Sequence, residues 1–70
     1  MTGTIEEIHS GDFVQLDERY NDKVVYCVSR MDGDGGKCWI GDKDDRGWYT
    51  LTGTLIKVTD PTLISNYFPA

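Results

Sequence analysis

The feature of this sequence that most constrains its fold is the regular recurrence of turn-forming residues. Glycine, aspartate and asparagine interrupt the chain about every eight to twelve residues, the spacing typical of short strands joined by tight turns. The interruptions lie at Ser10-Gly11, Asn21-Asp22, residues 32–36, residues 42–47, Gly53 and Asp60-Pro61. No stretch between them keeps a helical period over the length that a stable helix needs. The pattern predicts an all-β chain, and residues 4–8 fit one helical turn or an extended segment equally well.

The runs between these turns are rich in β-branched and aromatic residues, which favour strands. Five strands are predicted, at residues 12–16, 23–30, 37–40, 48–51 and 55–58. The firmest local prediction is a hairpin between Lys23 and Ile40, because its Asp-Gly and Gly-Gly pairs supply the positive φ angles of tight turns. Both faces of its first strand are apolar, so one face is expected to line the core and the other to meet a neighbouring segment.

The order of these segments resembles the SH3-like small barrel. Gly11-Asp12-Phe13-Val14 is similar to the turn and entry into the first strand of that superfold, and residues 48–58 are similar to its last strands, joined by one 3₁₀ turn. The resemblance implies a small five-stranded SH3-like barrel, or a strongly bent meander with a short 3₁₀ turn. At 70 residues the chain is expected to be one domain, with the barrel at about 11–58 and a C-terminal docking tail at 61–70.

The charge balance disfavours several classes of partner. Twelve acidic residues against seven basic ones leave a net charge of −5, and the basic residues are scattered singly among acids. Direct binding to nucleic acid depends on clustered Lys and Arg, so it is not expected. The chain has no apolar run of about 18 residues and an acidic start, so neither a membrane span nor a signal peptide is expected. These features predict a soluble, cytoplasmic protein.

The residues that carry chemistry are few. His9 is the single histidine, and no catalytic signature surrounds any Ser or Cys, so the protein is not expected to be an enzyme. Cys27 and Cys38 are too few for a disulfide framework or a structural zinc site, and they are interpreted as small apolar residues on neighbouring strands. Asp32-Gly33-Asp34-Gly35-Gly36 begins like a calcium loop, but Lys43 stands where such a loop needs Glu. We therefore expect no metal and no cofactor.

Aromatic residues are the better indication of function, because Trp and Tyr dominate binding hot spots when they lie outside a core. A chain this small has little room for a deep pocket, so recognition at the surface is expected. Strand alternation predicts that Trp48 and Tyr49 point to opposite faces. The predicted protein-binding residues are Trp48, Tyr49, Asp42, Asp44, Asp45, Tyr67 and Phe68.

The leading hypothesis is a non-catalytic protein-binding module, a small inhibitor or adaptor of the kind that phages and mobile elements encode, acting on a host or viral protein. The alternative is an acidic nucleic-acid mimic, or a modulator subunit of a nucleic-acid-processing complex. A meander brings residues 17–22 and 42–47 to one end, but acids and bases are mixed there, whereas a mimic needs a purer acidic array. A homo-oligomer is left open, and with it an enzyme whose site is shared between subunits.

Overall fold

A computed structural model describes residues 8–69 of the chain. The strands are β1 (Phe13–Leu16), β2 (Tyr26–Met31), β3 (Lys37–Gly41), β4 (Gly47–Leu51) and β5 (Leu55–Val58). Two 3₁₀ turns occupy Glu18–Tyr20 and Thr52–Thr54, and one helix, α1, spans Pro61–Tyr67. The strands form one antiparallel sheet in the order β4-β3-β2-β1-β5.

This architecture confirms the all-β prediction of five strands with a 3₁₀ turn before the last one. Of the two predicted arrangements the sheet is the meander and not a closed barrel, since β4 and β5 are its two edges. The hairpin between β2 and β3 is confirmed as well. It turns at residues 32–37, where Asp32 N donates to Lys37 O at 3.0 Å and Gly35 has a φ of 77°. The helical turn considered at residues 4–8 lies outside the described residues, apart from Ile8.

β2 begins three residues later than the sequence predicts, because a side chain holds the preceding residues in a turn. Asp22 accepts hydrogen bonds from Val24 N and from Tyr26 Oη, each at 2.8 Å. Gln15 Nε2 donates to Lys23 O at 2.9 Å, which fastens the same turn to β1. Because the carboxylate of Asp22 holds the residues before Tyr26 in a turn, β2 begins only at Tyr26.

The main core lies on one face of the sheet, here called the inner face. It consists of Val14, Tyr26, Val28, Cys38 and Ile40, and partly buried side chains from β1, β2 and β5 pack around it. Each fully buried aliphatic side chain contributes about 1.5–3 kcal/mol relative to an exposed one. The core is thus mainly aliphatic, and Tyr26 is the one aromatic side chain among the described residues that is buried.

A second buried region lies on the opposite, outer face of the sheet. Val25 and Val58 are buried but belong to no part of the inner cluster. The ring of Phe68, just after α1, lies 5.0 Å from the ring of Phe13 on β1, measured between centroids. Phe13 is paired in the sheet with Val58, so Phe68, the residue after α1, covers the outer face where β1 and β5 meet.

The helix α1 was not predicted from the sequence, from which residues 61–70 were expected only to form a docking tail. Asp60 caps its N-terminus by accepting a hydrogen bond from Thr62 N at 2.9 Å, and Pro61 occupies the first helical position. An Asp-Pro pair is a helix start signal as well as a turn signal. Seven residues are too few for a helix that is stable alone, so α1 depends on its contact with the sheet.

Tyr26 should make the stability of the protein depend on pH in alkaline solution. Burial, followed by the hydrogen bond to Asp22, raises its pKa from 10.0 to about 12. The neutral phenol therefore stabilises the fold fully below pH 10, and this contribution is lost as the pH rises towards 12. We expect the free energy of unfolding to fall over this range and to fall less in Tyr26→Phe, as measured by denaturant titration. An equal fall in both proteins would contradict the assignment.

The two cysteines should react slowly in the folded protein. Both are free thiols. Cys38 is buried on the inner face, whereas Cys27 pairs with Gly41 on the outer face. Burial raises the pKa of each thiol, with Asp12 adding to the effect at Cys27 and Asp32 at Cys38. Because the thiolate is the reactive form, a thiol-specific reagent near pH 8 should modify Cys38 only on unfolding and Cys27 slowly. Rapid modification of both thiols before unfolding would show that this part of the sheet opens readily.

Candidate functional site

The helix leaves the other half of the outer face open, over β2, β3 and β4. An open groove of about 400 Å³ lies there, lined by Ser29, Arg30, Trp39, Asp45 and Tyr49. Trp39 and Tyr49 are direct neighbours across the β3–β4 ladder. The groove is therefore lined by two adjacent aromatic side chains together with the basic side chain of Arg30 and the acidic side chain of Asp45.

A β-bulge in β2 brings Arg30 to this groove. The pairing of β2 with β3 runs from Val28 opposite Ile40 directly to Arg30 opposite Trp39, so Ser29 is an extra residue. Ser10 Oγ donates to Ser29 O at 3.3 Å, which satisfies the carbonyl group of the extra residue. An extra residue reverses the alternation that follows it. Arg30 therefore joins Trp39 on the outer face.

Gly41 makes room for the indole of Trp39. A Cβ atom built on Gly41 would lie 2.8 Å from Cη2 of Trp39, so the ring covers the position where a side chain would be. Tyr49 is half exposed, at 49%, and Arg30 Nη1 donates to its hydroxyl at 3.4 Å. The partly buried Trp39 forms the fixed part of the groove, whereas Tyr49 and Arg30 present polar groups at its surface.

The turn between β3 and β4 carries Asp45 to the groove. Asp42 Oδ1 accepts hydrogen bonds from the backbone N of Asp44 at 2.9 Å and of Arg46 at 3.0 Å. Asp45 adopts the left-handed conformation, with a φ of 61°. One carboxylate oxygen of Asp42 is thus engaged within its own turn, while Asp45 lies at the groove.

The residues selected from the sequence lie in four places, and the structure does not bring them together. Tyr49 and Asp45 line the groove. Asp42 and Asp44 line a shallow depression of about 190 Å³ beside Tyr67. Phe68 contacts Phe13 under the end of α1.

Trp48 lies apart from Tyr49, on the other face of β4. Its ring meets that of Tyr26 edge-on, with centroids 5.2 Å apart, and it pairs with Ile40 of the inner cluster. The two aromatic residues therefore point to opposite faces, yet Trp48 is still 43% exposed because β4 is an edge strand.

Sequence reasoning missed Arg30 and Trp39 as members of a site. Simple alternation along β2 places Arg30 on the face of Tyr26 and Val28, and only the bulge moves it to the outer face. Trp39 was not among the residues selected from the sequence. Its position two residues before a glycine was the available signal, since a side chain on the same strand face can lie over a glycine.

Another groove, of about 520 Å³, lies at the turn between β2 and β3 and includes His9, Ser10 and Thr52. The hydroxyls of Ser10 and Thr52 donate to the backbone carbonyls of Ser29 and Gly35. They are therefore oriented towards carbonyl groups and not towards a base that would activate them. Within residues 8–69, no three His, Cys, Asp or Glu side chains are grouped so that they would hold a metal ion.

Comparison with known protein families, with curated proteins and with solved structures found no match for this chain. Among the described residues, no helix has the length and apolar character needed to cross a membrane.

Proposed function

We propose that the protein is a non-catalytic binding module, an adaptor or inhibitor that contacts another protein through the groove of Arg30, Trp39 and Tyr49. The observation that carries the proposal is the pair of adjacent aromatic side chains on an open sheet face, with Arg30 donating to Tyr49. Trp, Tyr and Arg are the residues most enriched in binding hot spots. A flat, partly apolar surface with a few polar groups suits a protein partner better than a small substrate.

The arrangement of strands supports a related proposal, that the sheet is an SH3-like one. Four consecutive strands form a meander, a 3₁₀ turn follows, and β5 returns to pair with β1. This is the connectivity that the sequence resemblance implies. A shared fold does not determine a function, so the binding proposal depends on the groove alone.

The alternative, a mimic of nucleic acid, receives less support from the acidic loops. Asp22 and Asp42 lie at the same end of the sheet, since both act on the pKa of Tyr26. However, both oxygens of Asp22 and one of Asp42 accept hydrogen bonds within their own turns. Carboxylates used in this way are poorly placed to imitate phosphates for a partner.

The test is quantitative capture of partners from a lysate, followed by titration of the captured protein against matched variants. Tyr49→Ala and Arg30→Ala should each weaken binding by roughly 2 kcal/mol, or about 30-fold in dissociation constant, as expected for hot-spot side chains. Ile56→Ala is the control, because Ile56 is similarly exposed, at 47%, on the opposite edge strand. Unchanged affinity in both groove variants would refute the proposal.

The dependence of binding on salt separates the two hypotheses. An aromatic contact should lose little affinity as the salt concentration rises, whereas a mimic that binds through many charges should lose most of it. Measuring the dissociation constant of the wild-type protein over a series of salt concentrations decides between them. A steep fall in affinity with salt, together with normal binding by Tyr49→Ala, would favour the mimic.

A further inference from the structure

The outer edge of β4 is a row of backbone groups that no other described strand pairs with. One backbone hydrogen bond lies just beyond each end of the β3–β4 ladder. Asp42 N donates to Arg46 O at 2.9 Å at one end, and Thr52 N donates to Gly36 O at 3.0 Å at the other. Since hydrogen-bonded pairs alternate in an antiparallel ladder, Trp48 and Thr50 bond inward to β3. The N–H and C=O groups of Gly47, Tyr49 and Leu51 therefore point away from the sheet, and within residues 8–69 no strand pairs with that side. Of these groups, Leu51 O accepts a hydrogen bond from Thr54 Oγ1 at 2.7 Å and keeps one lone pair for a second donor.

This edge lacks the features that usually protect an edge strand. The sequence Gly47-Trp48-Tyr49-Thr50-Leu51 contains no charge and no proline, and it pairs with β3 without a bulge. The other edge strand, β5, is only four residues long and carries Lys57, whose Nζ lies 3.6 Å from Asp12 Oδ2. Natural sheets use short strands and charges of this kind to prevent pairing with another chain. The contrast indicates that β4, unlike β5, is open to strand addition.

We propose that the free edge of β4 pairs with β4 of a second copy of this chain, antiparallel, about a two-fold axis through Tyr49. In this register Tyr49 pairs with its equivalent and Gly47 pairs with Leu51, each as a two-way hydrogen-bonded pair in which Leu51 O accepts a second hydrogen bond beside that from Thr54 Oγ1. Trp48 then lies opposite Thr50 of the second copy. The two flanking pairs thus set a large side chain against a small residue, and the two Tyr49 side chains lie beside each other at the axis of this self-complementary interface.

The charges at the two ends of β4 fit a second copy. Arg46 immediately precedes β4, and the register carries it to Thr52 of the other copy. Thr52 Oγ1 donates to Gly35 O at 2.8 Å, and the adjacent Gly36 N donates to Asp34 Oδ1 at 2.9 Å. Each copy therefore brings Arg46 to the acidic β2–β3 turn of the other, twice by symmetry, while no charged residue lies within the paired strands.

The first experiment measures mass by sedimentation over a range of protein concentrations. We expect a dimer whose fraction rises with protein concentration. Tyr49→Lys should raise the dissociation constant of the dimer at least about tenfold, since two lysines then meet at the axis. Ile56→Lys makes the same change in net charge on β5 and should leave the dimer intact.

The second measurement is amide hydrogen exchange of the wild-type protein at low and high concentration, which does not depend on any variant folding. The amides of Trp48 and Thr50 should exchange slowly at both concentrations, whereas those of Tyr49 and Leu51 should become slow only where the dimer forms. A monomer at every concentration would overturn the proposal. The edge of β4 would then be open to pairing with a strand of another protein. A dimer in which the Tyr49 amide stays fast, or one that Ile56→Lys disrupts equally, would also overturn it.

Discussion

Replacing Phe68 by Ala should lower the free energy of unfolding by about 3 kcal/mol. Phe-to-Ala changes in a core cost about 3–5 kcal/mol, and the lower end applies because Phe68 is only partly buried. The ring packs against Phe13 with centroids 5.0 Å apart, and α1 is too short to persist without this contact. The core of so small a domain supplies only roughly 3–5 kcal/mol, so most of the net stability should be lost.

Thermal melts test this expectation, and the melting temperature should fall by about 10–20 °C for a domain of this size. Tyr20→Ala is the matched control, since Tyr20 is 50% exposed and its ring contacts only the Arg19 guanidinium among the described aromatic and cation contacts. That variant should melt close to the wild-type temperature. An unchanged melting temperature for Phe68→Ala, combined with weaker partner binding, would instead assign Phe68 to a partner and contradict its role as a support of the sheet.

Gly47→Ala should destabilise the protein by more than about 2 kcal/mol, the range of severe overpacking. A Cβ atom at this position would overlap the carbonyl group of Ile40 and lie 2.7 Å from Cα of Gly41. These are backbone atoms of β3, so the clash is relieved only if the β3–β4 hairpin opens at its turn. Because Trp48 and Tyr49 follow directly, the same change should also disturb both aromatic side chains.

The control for Gly47→Ala is the same substitution at Gly53. A Cβ atom there would meet nothing within 4 Å, and no positive φ is required. Gly53→Ala should leave the stability unchanged, or raise it by up to about 1 kcal/mol through a less flexible unfolded chain. Denaturant titrations give the free energy of unfolding of each variant. They compare Gly47, where the backbone of β3 lies close, with Gly53, where the surrounding space is open. Equal stabilities would mean that the hairpin accommodates a methyl group without cost.

The sequence by itself determined the elements that depend on local chemistry. Turns at Gly35 and at residues 42–46 need positive φ angles or side-chain caps, and Gly, Asp and Asn supply these wherever they occur. The strands between them follow from β-branched and aromatic residues, whose preference is also local. For this reason the five strands and the β2–β3 hairpin were predictable, with errors of a few residues at their ends, as at Asp22.

Only the tertiary structure decided which of these residues share a surface. The bulge at Ser29 moves Arg30 to the outer face, and it is visible only in the pairing of β2 with β3. The edge position of β4 exposes Trp48 and Tyr49 on opposite faces, although alternation alone places one of them inside. Helix α1 forms because the ring of Phe68 packs against that of Phe13 in a distant strand. These outcomes depend on contacts between residues far apart in the chain, which a local pattern does not encode.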